Sequence, residues 1–164
     1  MKLAELFDSK VEKIKFDKGP EQWVGSFEIN EIPFMMFIAK DVLPDDMGEP
    51  KPHKIGYEVA FGVDNFKLKK IIQKSTNPAL QKMKSNSWAD THGILGTGNQ
   101  GKVFTTVLAG IQEFVKSVKP EFIFFSADEP SRVKLYRRMS KTIGKKIGMK
   151  LVHDKSGEFI LQKV

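Results

Sequence analysis

The hydrophobic residues of this chain change period at its middle, and that change limits what it can fold into. Up to Val63 they tend to recur every second residue. In QWVGSFEI (Gln22–Ile29), Trp23, Gly25, Phe27 and Ile29 alternate with polar neighbours, the pattern of a half-buried strand. IPFMMFIAK (Ile32–Lys40) is a second apolar strand, and only Asn30 and Glu31 separate the two, which predicts a hairpin. GYEVAFGV places Tyr57, Val59, Phe61 and Val63 on one face and Glu58 on the other. It predicts a third strand, antiparallel to the second. From Val103 the spacing is helical: Phe104, Val107, Leu108, Ile111, Val115 and Val118 follow at intervals of one, three or four. An amphipathic helix is expected from about Gly101 to Val118, ended by Pro120.

EFIFFSA then reads as a short buried strand. DEPSRVKLYRRMSKTIGKKIG reads as a second long helix, with Asp128 or Ser131 as cap and Pro130 in its first turn. Tyr136, Met139, Ile143 and Ile147 share one face of it; Arg137, Arg138, Lys141 and Lys145 crowd the other. MKLVHD and GEFILQKV close the chain as a hairpin around KSG. KLAELFD predicts a short helix and HGILG a short strand. DVLPDDMGEPKPHK is a loop. Residues 64–92 form a surface excursion, partly helical through Phe66, Leu68, Ile71 and Ile72. With no repeat and no linker, residues 1–164 are expected to form a single domain. Its class is α+β (mixed α/β), with helices on a largely antiparallel central sheet.

Composition narrows the chemistry. The chain has no cysteine, which excludes disulfides, thiolate metal sites and a cysteine nucleophile. Its three histidines, His53, His92 and His153, are scattered, which argues against a histidine metal cluster. Ser126 has no histidine–aspartate partners in the pattern a serine hydrolase requires. No run is apolar enough for a membrane span, and MKLAELFDSKVEK is too charged for a signal-peptide core. A cytoplasmic location without membrane attachment is expected. The net charge is +7. Eight lysines lie between Lys51 and Lys84, and nine basic residues between Arg132 and Lys155. Such a face is either simply solvated or attracts a polyanion, whether nucleic acid, an acidic protein or a phosphorylated cofactor.

GILGTGNQGKVF (Gly93–Phe104) fits parts of three phosphate-loop patterns. As GxxxxGK (Gly96, Gly101, Lys102) it approaches a P-loop, but Val103 stands where the magnesium-binding Ser or Thr is required. As GxGxxG (Gly96, Gly98, Gly101) it matches a dinucleotide fingerprint, yet the strands before it pair as hairpins rather than parallel crossovers. As a glycine turn opening a helix, it would offer unpaired backbone N–H groups and the positive end of the helix dipole to a pyrophosphate.

TGNQGKVFTTVLAGIQEFVKSVKPEFIFFSADEPSRVKLYRRMSK resembles the GNAT superfamily of N-acyltransferases, and is similar to short GNAT-like proteins met in phage genomes. The likeness is good over Gly93–Leu151. It implies a GNAT-like fold, acetyl-CoA as the acyl donor and an amine as the acceptor. In that family the acyl-CoA loop follows R/Q-x-x-G-x-G/A. If Gly98 takes the first glycine position, Leu95 and Gln100 stand at the Arg/Gln and Gly/Ala positions. If Gly96 takes it, Gly98 fits the Gly/Ala position and Gly93 stands at the Arg/Gln position. The resemblance thus gives Gly96, Thr97, Gly98, Asn99, Gln100, Gly101 and Lys102 as the acyl-CoA loop, with Arg132 as a phosphate contact. The family motif N-x-x-A-x-x-L-Y, on the helix after the fifth strand, is matched in EPSRVKLY by Leu135 and Tyr136. Glu129 and Arg132 replace Asn and Ala. Tyr136 is the residue carried over as general acid toward the departing thiolate.

Acyl transfer to an amine also needs a base, and Glu58 is the candidate. Each residue has a plainer reading: Tyr136 as a core tyrosine, Glu58 as an exposed strand residue, and Lys102, Arg132 and Arg137 as a solvated helix face. The family's two helices between its first and second strands have no counterpart before Gln22, so the acceptor is open: a protein, a small amine or a modified nucleotide. The competing function is a catalytically silent GNAT-like binding module, using its basic surface for nucleic acid or an acidic protein partner. If the chain is phage-encoded, its compartment is the host cytoplasm.

Overall fold

The computed structural model describes residues 12–44, 54–74, 76, 78, 100–127 and 130–164. It is a mixed α+β structure with a seven-stranded, mostly antiparallel open sheet and three helices among the described residues. The strands are β1 (Lys15–Lys18), β2 (Gln22–Ile29), β3 (Ile32–Val42), β4 (Ile55–Val63), β5 (Phe122–Ser126), β6 (Met149–Lys155) and β7 (Glu158–Lys163). The helices are α1 (Asn65–Lys74), α2 (Gln100–Val118) and α3 (Pro130–Ile147). The sheet order is β1-β2-β3-β4-β5-β7-β6.

Local chemistry explains most boundaries. Asn30 and Glu31 both have positive φ, 49° and 69°, the two-residue turn that matches strand twist. Ser156 and Gly157 do the same between β6 and β7, with φ of 57° and 78°. At Gly157 a Cβ would run into the Ala127 carbonyl oxygen, so only glycine fits this turn. Helix α2 ends on Lys119 in the left-handed region, with Pro120 next. Pro130 is the first residue of α3, where its missing N–H costs nothing. The Asp64 carboxylate accepts the Lys67 N–H at 3.1 Å and so caps α1.

The chain divides into two compact units. One draws on residues up to Asp17, Val24–Met36 and Phe61–Val107. Within it Phe27 stacks on Phe34, with ring centroids 5.4 Å apart, and Phe61 meets Phe104 of α2 edge-on at 5.8 Å. The Thr106 hydroxyl, fully buried on α2, accepts the Glu12 N–H at 3.2 Å.

The other unit draws on Lys18–Trp23, Phe37–Ala60 and Leu108–Val164. Here Phe114 of α2 takes the edges of Trp23 and Tyr57 at 5.1 and 4.9 Å. Lys18 lies over the Trp23 ring at 4.6 Å and pairs with Glu113 at 3.0 Å. Helix α3 packs on β6 and β7. Strands β4 and β5 run parallel, whereas β5/β7 and β7/β6 are antiparallel.

Two expectations need revision, and one strand falls outside them. Strand β3 runs to Val42, so Asp41 and Val42 belong to it rather than to the loop. Phe66, placed on the apolar side of α1 by spacing, is 71% exposed; Leu68 and Ile72 are the buried residues. Strand β1 has no apolar pattern to announce it: KFDK offers only Phe16 as a half-buried side chain. The expected helix at KLAELFD, the strand at HGILG and the caps at Asp128 and Ser131 lie outside the described residues or side chains.

Candidate functional site

The β4–β5 pair is built from alternation. Its register couples Tyr57 with Ile123 and Glu58 with Phe124. The pairing stops there, although β4 runs on to Val63 and β5 to Ser126. In-register residues of neighbouring strands share a face, and successive residues alternate. Tyr57 faces α2 through Phe114; Glu58 therefore faces the other way, as its position in GYEVAFGV predicts.

On the Glu58 side lies an apolar cluster of Leu43, Phe124 and Ile160, with Phe122 packed against it. Glu58 is half-buried beside it. Partial burial raises its carboxyl pKa above the usual range, and the charge of Asp41 raises it further. Both effects oppose ionisation and make the carboxylate a stronger base. Asp41 is the site residue that sequence reasoning missed. Its signal was its parity with Met35, Phe37 and Ala39, legible only once β3 extends past Lys40.

Tyr136 lies on the other side. It projects from α3, is 6% exposed, and meets Phe125 edge-on with ring centroids 5.9 Å apart. Met139 and Ile143, one and two turns on, are buried with it. Burial pushes its hydroxyl pKa up to about 12, while the Arg132 charge one turn away pulls in the opposite sense. Because Phe125 follows Phe124, alternation sets Tyr136 and Glu58 on opposite sides of the β4–β5 pair. Arg132 itself is half-exposed.

Of the glycine loop, Gly96, Thr97, Gly98 and Asn99 lie outside the described residues, as does the Gln100 side chain. Gln100 is the first residue of α2, followed by buried Gly101 and half-exposed Lys102. The first turn carries no acidic residue. A lysine there stands against the helix dipole, which favours negative charge at that end by about 0.3–1 kcal/mol. The first-turn N–H groups, which a helix leaves without intrahelical partners, and Lys102 would together suit an anion such as a phosphate.

On the outward face of α3, Arg137 pairs with Asp154 at 2.8 Å, which holds its guanidinium pKa above its usual value. Among the described residues, no three of His, Cys, Asp and Glu come together as a metal site would require. No helix among them is long and apolar enough to cross a membrane. No protein-family model, curated protein or solved structure matches the chain.

Proposed function

We propose that this chain is an acyl-CoA-dependent N-acyltransferase, moving an acetyl group from acetyl-CoA to an amine. The observation that carries the proposal is the parallel β4–β5 pair. Its pairing ends at Glu58 and Phe124, with a basic carboxylate on one side and a neutral phenol on the other. Where parallel strands lie at a switch in sheet order, ligands bind beyond their carboxyl ends. A thioester lying there would have Glu58 on one side of the sheet and Tyr136 on the other. Further support comes from the order α2, β5, α3, with Tyr136 on the helix after the fifth strand, as the GNAT resemblance implies.

The reaction breaks a thioester C–S bond and forms an amide C–N bond. Glu58 takes the proton that the amine loses, directly or through water, and its raised pKa improves it for that task. Tyr136 keeps its proton at neutral pH, since its pKa is pushed up to about 12. A thiol has a pKa of about 8.5, so full proton transfer from so weak an acid is uphill. Tyr136 therefore acts as a hydrogen-bond donor to the sulfur as charge develops there, and CoA leaves as a thiolate that takes its proton from water. The GNAT resemblance gives Lys102 and the first turn of α2 as candidate phosphate contacts.

The absence of cysteine makes a direct assay clean. Acetyl-CoA is mixed with a panel of amines, and released thiol is followed with an aromatic disulfide reagent. Thiol release that depends on one amine class, retained by wild type and lost in Tyr136→Phe with CoA affinity unchanged, is the expected result. Full turnover in Tyr136→Phe would remove Tyr136 from the mechanism.

A further inference from the structure

Two adjoining depressions lie where the C-terminal ends of α2 and α3 meet the end of β7. Their volumes are about 440 and 340 Å³, and they share Val115, Lys116 and Ile147. The larger is within the size range of ligand sites. Its floor is apolar: Val115 and Ile147 are partly exposed, and Met149 and Pro120 are buried beneath. Its rim is basic, with Lys116, Lys119 and Lys163, and Lys146 lines the smaller depression. Neither depression is lined by an acidic residue.

The lysines at the helix ends have an ordinary role, since cations there complement the dipole. That does not account for Lys163, which comes from β7. Nor does it account for the apolar floor between them. Elsewhere in this unit three exposed cations meet carboxylates: Lys18 with Glu113, Lys40 with Glu21 and Arg137 with Asp154. Among the described residues, no ion pair joins Lys116, Lys119 or Lys163 to a carboxylate.

We propose that this groove docks an acidic peptide segment of a partner protein. Its apolar side chains rest on Val115, Ile147 and Met149, and its carboxylates meet Lys116, Lys119 and Lys163. Charge complementarity selects an acidic ligand. The lining selects peptide over nucleic acid: no aromatic ring is present to stack a base, and no arginine to fork onto a phosphate. The proposal is independent of acyl transfer.

The test uses fluorescence anisotropy on the full chain. The probes are a labelled peptide of alternating glutamate and leucine, a glutamate–serine peptide of equal charge, and a labelled oligothymidylate. The glutamate–leucine peptide is expected to bind at least tenfold more tightly than the other two. Lys116→Gln/Lys119→Gln/Lys163→Gln is expected to weaken it about tenfold or more; Lys15→Gln/Lys150→Gln is expected to leave it unchanged. Tighter binding of the oligothymidylate, equal binding of the leucine-free peptide, or indifference to the groove substitutions would overturn the proposal. If the triple variant folds poorly, photocrosslinking on the wild-type chain decides. A benzophenone-bearing glutamate–leucine peptide should label residues 112–120 or 146–149, and labelling only elsewhere would overturn the assignment.

Discussion

The two sides of the β4–β5 pair use the same strands to opposite ends. On one side Tyr57, Phe125 and Tyr136 join aromatic edges with the helices, and Tyr136 is kept neutral by burial. On the other a carboxylate is held half-buried against Leu43, Phe124 and Ile160, with a second carboxylate raising its pKa. The first arrangement is stable and keeps its phenol protonated. The second is less favourable for folding and chemically more capable. Perturbed groups gather where chemistry is done, and here the two kinds of environment are one residue apart along each strand.

The largest effect is expected at Phe125, which is 1% exposed. Phe125→Ala should cost about 3–5 kcal/mol in urea unfolding. It should also lower the Tyr136 pKa by opening that side to water; an unchanged tyrosine titration would show that Phe125 does not enclose the phenol.

The pH dependence of stability comes next. Unfolded, Tyr136 ionises near its ordinary value of 10.0; folded, it holds its proton to about 12. The stability it contributes is complete below pH 10 and is lost as pH rises toward 12, to a total of roughly 3 kcal/mol. Lysines titrate in the same range, so the measurement is a difference: the alkaline loss should be shallower in Tyr136→Phe than in wild type.

Gly56, on the Glu58 side, shows how closely that side is packed. A Cβ there would lie 2.6 Å from Leu43 Cδ2 and 3.1 Å from Phe122 Cβ. Gly56→Ala should cost about 1–3 kcal/mol through overpacking; a neutral result would mean the apolar cluster yields easily.

The smallest stability effect belongs to Glu58→Gln. The folded pKa of Glu58 is raised above 4.5. Its protonated form therefore favours folding below that value, and the benefit is lost as pH rises through the folded pKa. Glutamine does not titrate, so the variant should lack this fall and be no less stable than wild type at neutral pH. Its thiol-release activity should nevertheless be lost. A large loss of stability at neutral pH would contradict the unfavourable environment assigned to Glu58.

Much of this arrangement was legible in the sequence. Alternation in GYEVAFGV fixed the side on which Glu58 lies, and helical spacing placed Tyr136 with Met139 and Ile143. The Asn30–Glu31 turn was readable because only two residues separate the strands. What was not legible depends on neighbours distant in the chain. KFDK becomes a strand only by pairing at the sheet edge. Phe66 satisfies the helical period yet points to solvent, where Lys70 lies over its ring at 4.4 Å. Asp41 matters to Glu58 through space, and the opposition of Tyr136 to Glu58 depends on the register Glu58 with Phe124.

The most direct test of the acyl-CoA assignment is the melting temperature of the full chain with acetyl-CoA, CoA, NAD or ATP added separately. A ligand at about 100 times its Kd adds roughly 2.7 kcal/mol of stability. A clear upward shift is expected with acetyl-CoA and with CoA, and little or none with NAD or ATP. No shift with either CoA species, or an equal shift with ATP, would contradict the assignment.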